Sequence, residues 1–136
     1  MDCILEPEQY NLIFRASFLS LGSSVYAIHN GYYDLALCPG GVFLTSITYW
    51  VKPDYSWRRY LDMLYVKFAL SYQLYKAYNS QYMVYYYTLI VITVAFYTVG
   101  VYYYKKKLYW KSTYSHCMLH LIANIANIVL YSGRIA

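Results

Sequence analysis

Residues Ser112 to Gly133 read S-T-Y-S-H-C-M-L-H-L-I-A-N-I-A-N-I-V-L-Y-S-G. On an α-helix at 100° per residue, His116, His120, Asn124 and Asn127 fall within an arc of about 80°. The remaining surface is mostly Leu, Ile, Ala, Val and Met, and the stretch holds no Asp, Glu, Lys or Arg. A helix this apolar and about 20 residues long is a membrane-span candidate. Its polar stripe must face a protein interior or a wet cavity, because lipid offers such groups no partners.

The rest of the chain has the same character. Of 136 residues, 60% are hydrophobic and 12% are charged, against roughly 25% charged in soluble domains. Twenty-two are tyrosines, whose apolar ring and wet hydroxyl suit the level of lipid headgroups. The net charge is +5, but the basic residues cluster between apolar runs, which marks topology and not a nucleic-acid surface. Cys3, Cys38 and Cys117 are scattered and odd in number, so no disulfide framework is implied. The acidic start, Met1 to Glu8, lacks the basic region of a secretory signal and is expected to be retained.

Five apolar runs predict an all-α polytopic transmembrane bundle of one domain over residues 1–136, with spans near 16–33, 35–51, 60–78, 82–104 and 112–133. Serines and Gly22 dilute the first run, and such small residues mark helix–helix contact. The second contains Pro39-Gly40-Gly41, where a kink or a late start is expected. The third carries Asp62 near its start and Lys67 further in; snorkelling to an interface accounts for the lysine. In the fourth, Tyr85-Tyr86-Tyr87 is answered by Tyr102-Tyr103-Tyr104. Seventeen residues of helix, about 25 Å, separate these clusters, close to the hydrocarbon thickness.

Lys52, Arg58 and Arg59 lie between runs two and three, and Lys105, Lys106, Lys107 and Lys111 between runs four and five, with Arg15 before run one. The alternate loops hold only Lys76, with Arg134 at the end. The positive-inside rule then places the N-terminus in the cytosol and the C-terminus on the opposite side. That topology brings Ser46, Asp62, His116 and His120 to one depth from three helices; His29 falls on the other side. Each has an ordinary interior reading: a serine bonded to its own helix, an interface carboxylate beside Arg58 and Arg59, and hydrogen-bonded histidines. Asn124 and Asn127, deeper, read as interhelical glue. Cys117 reads as a small buried hydrophobe.

These positions resemble the sparse pattern of the CREST superfamily of membrane hydrolases, which includes the alkaline ceramidases and the adiponectin-receptor-like proteins. Ser46 in T-S-I-T-Y-W matches that pattern's serine, Asp62 in W-R-R-Y-L-D-M its aspartate, and His116 and His120 in Y-S-H-C-M-L-H its closing pair. Trp50 stands where the pattern has a further histidine. The resemblance implies a helical bundle holding zinc that activates water against an amide or ester in a lipid. His116 and His120 would be ligands, Asp62 the third ligand, and Ser46 would orient the reacting oxygen.

Three functions are therefore expected: a structural or assembly protein of a cellular or viral membrane, a minimal zinc-dependent lipid hydrolase, or a proton or ion path along the last helix. The partners expected are the bilayer and other membrane proteins or further copies of the chain, met through Asn124, Asn127 and the small residues of the first run.

Overall fold

A computed structural model describes residues 5–51, 53, 54 and 56–135; Cys3 and Lys52 lie outside these. Among the described residues the chain forms helices α1 (Pro7–Ala16), α2 (Phe18–His29), α3 (Tyr33–Trp50), α4 (Trp57–Ala77), α5 (Met83–Lys105) and α6 (Tyr109–Ser132), with no strand. The all-helical expectation holds.

The first rod starts nine residues before the predicted span. Pro7 occupies the first turn, where its missing N–H costs nothing, and the Glu6 N–H donates to Gln9 Oε1 at 3.0 Å. Apolar patterning alone missed this start because α1 is amphipathic and not uniformly apolar. Ser17 joins α1 to α2. Its hydroxyl donates to the Ile13 carbonyl at 3.0 Å, a back-bond that bends helices without breaking them. At the far end, Gly31 (φ +82°) closes α2: its N–H donates to Ile28 O and that of Tyr32 to Ala27 O. This pair of bonds is the Schellman closure, which favours glycine at the left-handed position.

Helix α3 begins at Tyr33 and continues through Pro39. Proline removes the N–H that would satisfy the carbonyl four residues earlier, here that of Leu35. Hydroxyls from three other helices gather at this opened turn. Tyr131 Oη of α6 lies 3.5 Å from Leu35 O, Ser24 Oγ of α2 donates to Ala36 O at 2.9 Å, and Tyr65 Oη of α4 donates to Leu37 O at 2.7 Å. Gly40 and Gly41 let them approach. A Cβ on Gly40 would stand 2.9 Å from Ser24 Oγ, and one on Gly41 would overlap the Tyr65 ring. Pro39-Gly40-Gly41 is thus a packing hub within a continuous α3, which starts at Tyr33 and not after the proline as one of the two expectations had it.

The rods run up and down. One end gathers Ala27, Leu35, Ala36, Ala77, Tyr86, Ile90, Ala126, Leu130 and Tyr131; the other gathers Leu5, Ile13, Tyr49 and Trp50. Helix α6 packs on α5, α2 and α1, and α3 on α2, α4 and α1. Among the described residues, one helix, α5, is by itself long and apolar enough to cross a membrane, where five such runs were predicted. Of the others, α1 and α2 are only 10 and 12 residues long, α4 carries Arg58, Arg59, Asp62, Lys67 and Lys76, and the inward face of α6 carries Ser, His and Asn.

A polar interior and two candidate sites

The interior is as polar as it is apolar. Among the described residues, fifteen buried side chains are hydrophobic and fifteen are polar or charged. Outside, Leu19, Val25, Leu37, Leu44, Leu64, Phe68, Val84, Val91, Leu121 and Ile125 are exposed. Soluble domains bury their large aliphatic residues and keep polar groups out unless these are paired.

Hydrogen bonds hold the buried polar groups. Ser23 Oγ of α2 donates to Asn124 Oδ1 of α6 at 2.7 Å, and Asn124 Nδ2 donates to the His120 carbonyl at 2.7 Å. Asn127 Nδ2 lies 3.4 Å from Asn124 Oδ1, and Gln73 Nε2 of α4 donates to Asn127 Oδ1 at 3.1 Å. Tyr131 Oη donates to Gln73 Oε1, and Gln73 Nε2 lies 3.4 Å from Tyr86 Oη of α5. One chain of bonds thereby ties α2, α4, α5 and α6 together. Asn124 and Asn127 act as glue between this chain's own helices. The serines of the first run also turn inward, toward α6 and α3. Most links in this chain are neutral amides and hydroxyls, which hold helices in register but carry no exchangeable charge at neutral pH.

The residues singled out from sequence fall into two groups. In the first, Asp62 of α4 accepts hydrogen bonds at Oδ1 from Thr45 (2.8 Å) and Ser46 (3.1 Å) of α3. Ser46 was expected at Asp62's depth and is found bonded to it; Thr45 was missed, since a single threonine on a helix carries no sequence signal. The interface pairing expected between Asp62 and its neighbouring arginines gives way to these hydroxyls. Arg58 turns to Asp54 (3.3 Å) and to the Thr48 carbonyl (3.1 Å), and Arg59 lies over the Tyr60 ring.

The second group is His116 and His120, with ring centroids 5.0 Å apart, and Trp50 edge-on to His116, also at 5.0 Å. His120 is buried, and its Nε2 has no hydrogen-bond partner. The spacing-based pairing of the imidazoles is as predicted, but their joining with Asp62 is not. Among the described residues no three His, Cys, Asp or Glu side chains are grouped to hold a metal ion, so Asp62 is not a third ligand to His116 and His120, and neither is Cys117. The reason is local: Asp62 turns to the hydroxyls of α3, and the Trp50 indole, one turn beyond Ser46, takes the place beside His116. Catalytic zinc needs three protein ligands and an open position. These residues do not fit it, and no zinc step is derived.

Near the opposite end of α3, Asp34 accepts from the Tyr72 hydroxyl at 2.7 Å and pairs with Lys76 at 3.5 Å. The Tyr72 hydrogen bond, helped by the Lys76 charge, holds the Asp34 carboxyl below the usual carboxylate range.

No family model matches the chain, and neither a curated protein nor a solved structure matches it.

Proposed function

We propose that this chain is a multi-spanning integral membrane protein with a structural role: a small five-rod scaffold that crosses the bilayer with its N-terminus in the cytosol and its C-terminus opposite. The observation that carries this reading is the inverted distribution of side chains, with Leu, Val and Phe outward and Ser, Asn, Gln, Asp and His inward. Lipid rewards that arrangement, because buried polar groups find partners only among themselves. A second support is the placement of charge. Arg15, Arg58, Arg59, Lys105, Lys106, Lys107 and Lys111 lie toward the Trp50 end of the bundle, and Lys76 and Arg134 toward the other. The structural role is favoured over chemistry because Ser23, Gln73, Asn124, Asn127 and Tyr131 are taken up in bonds between helices.

The test is extraction and topology mapping of the full chain expressed in cells. It should stay with the membrane pellet in alkaline carbonate, and acceptor tags for glycosylation at its two ends should report opposite sides. A monodisperse protein in detergent-free buffer, or both tags on one side, overturns the reading.

A further inference from the structure

The turn between α5 and α6 carries the densest charge in the molecule. Lys105, Lys106, Lys107 and Lys111 fall within seven residues, and no Asp or Glu follows Asp62 anywhere in the sequence. Neither helix of this hairpin can therefore neutralise its own turn. Among the described residues the ion pairs are Arg58–Asp54 and Lys76–Asp34, both elsewhere. Among the described residues Glu6 and Glu8, at the start of α1, are exposed, and Asp54 is already paired with Arg58.

Two further features give the turn a direction. The Lys106 and Lys111 ammonium groups lie 5.8 and 5.6 Å from the ring centroids of Tyr102 and Tyr103, so the cations are held at the level of the tyrosine belt. Leu108, Trp110 and Tyr114 beside them are exposed, at 42%, 45% and 57%. Apolar and aromatic side chains interleaved with lysines suit the boundary between acyl chains and headgroups.

The backbone adds an independent sign. Lys107 N–H donates to Tyr104 O and Leu108 N–H to Tyr103 O, the same closure that Gly31 makes after α2. Here the left-handed position (φ +63°) is held by lysine in place of glycine. A non-glycine residue is strained there. The chain accepts the strain and carries a fourth cation at the apex.

We propose that the α5–α6 turn binds the phosphate headgroups of anionic lipids in the leaflet it faces. The inference rests on the membrane reading above. Lysine ammonium groups, each with three donors, meet phosphate as compact point charges, and each is worth about a fivefold gain in association near an anionic surface.

The experiment uses the full chain in nanodiscs of phosphatidylcholine with spin-labelled phosphatidylserine or phosphatidylcholine as tracer. The ratio of their association constants at the protein surface is read by electron spin resonance. The wild type should prefer phosphatidylserine by at least tenfold, and Lys105→Gln/Lys106→Gln/Lys111→Gln should cut the ratio to no more than the roughly fivefold preference that Lys107 alone supplies. Lys107→Gly alone should lower the ratio about fivefold while raising the unfolding temperature, which separates lost charge from lost fold. A wild-type ratio near one, or a preference untouched by the triple variant, overturns the proposal. So does loss of a labelled RNA's binding in the triple variant with lipid preference unchanged, which would assign the turn to nucleic acid. Failure to enter nanodiscs of any composition is a different result and overturns the membrane reading itself.

Discussion

Gly41→Ala is expected to destabilise the bundle, and Tyr65→Ala is expected to reverse the sign of that effect. The added methyl would overlap the Oη, Cζ and Cε1 atoms of Tyr65, whose hydroxyl donates to Leu37 O at 2.7 Å. If the tyrosine swings aside, its hydrogen bond is lost, at about 0.5–1.5 kcal/mol. If it stays, α3 and α4 must separate, and overpacking of this kind costs about 1–3 kcal/mol. Against either, alanine in a helix interior gains about 1 kcal/mol over glycine. Since ring and hydrogen bond are disturbed together, the net loss should be about 1–2 kcal/mol. In a Tyr65→Ala background there is nothing to strike, and the same substitution should stabilise by about 0.5–1 kcal/mol through helix propensity. The coupling between the sites is then about 1.5–3 kcal/mol, toward the upper end for residues in contact. Reversible unfolding in mixed micelles, titrated with sodium dodecyl sulfate and followed by tryptophan fluorescence, measures all four corners of this cycle. If Gly41→Ala costs the same with and without the Tyr65 ring, the hub at Pro39-Gly40-Gly41 does not hold α4 as described.

The same titration tests the polar chain. Asn124→Ala leaves Ser23 Oγ and Asn127 Nδ2 without their shared acceptor and should cost about 1–2 kcal/mol; no loss would mean that water or lipid replaces it freely. Lys67, exposed midway along α4, should tolerate Lys67→Leu. Insertion of α4 should improve by about 2–3 kcal/mol on a translocon assay, and a loss of fold would reveal a partner for the ammonium group. Because the Asp34 carboxyl is held low in the folded state, its stabilising contribution is present above the unfolded value of about 3.9 and fades as pH falls through the lower folded value. Asp34→Asn should flatten the acid limb of a stability profile below about pH 4; an unchanged limb places the acid sensitivity elsewhere. Zinc should not raise the unfolding temperature, and chelation should not lower it. A zinc-dependent rise that disappears in His120→Ala would overturn the separation of Asp62 from the histidines.

Helical content was legible because long apolar runs without acids or proline clusters leave little alternative, and the ends marked by His29-Asn30-Gly31 and by the Lys105–Lys107 turn follow local backbone chemistry. So did the common face of His116, His120, Asn124 and Asn127, since helical periodicity alone sets it. What side chains do across helices was not legible. A count of residues places Ser46 and Asp62 at one depth, but it cannot say that the carboxylate turns to Thr45 and Ser46 while Trp50 stands against His116. Nor could spacing show that the Leu35, Ala36 and Leu37 carbonyls around Pro39 would each meet a hydroxyl from a different helix. Periodicity is a property of one helix and is written into its sequence. Partnership depends on the rotation and crossing of two helices, which packing alone decides.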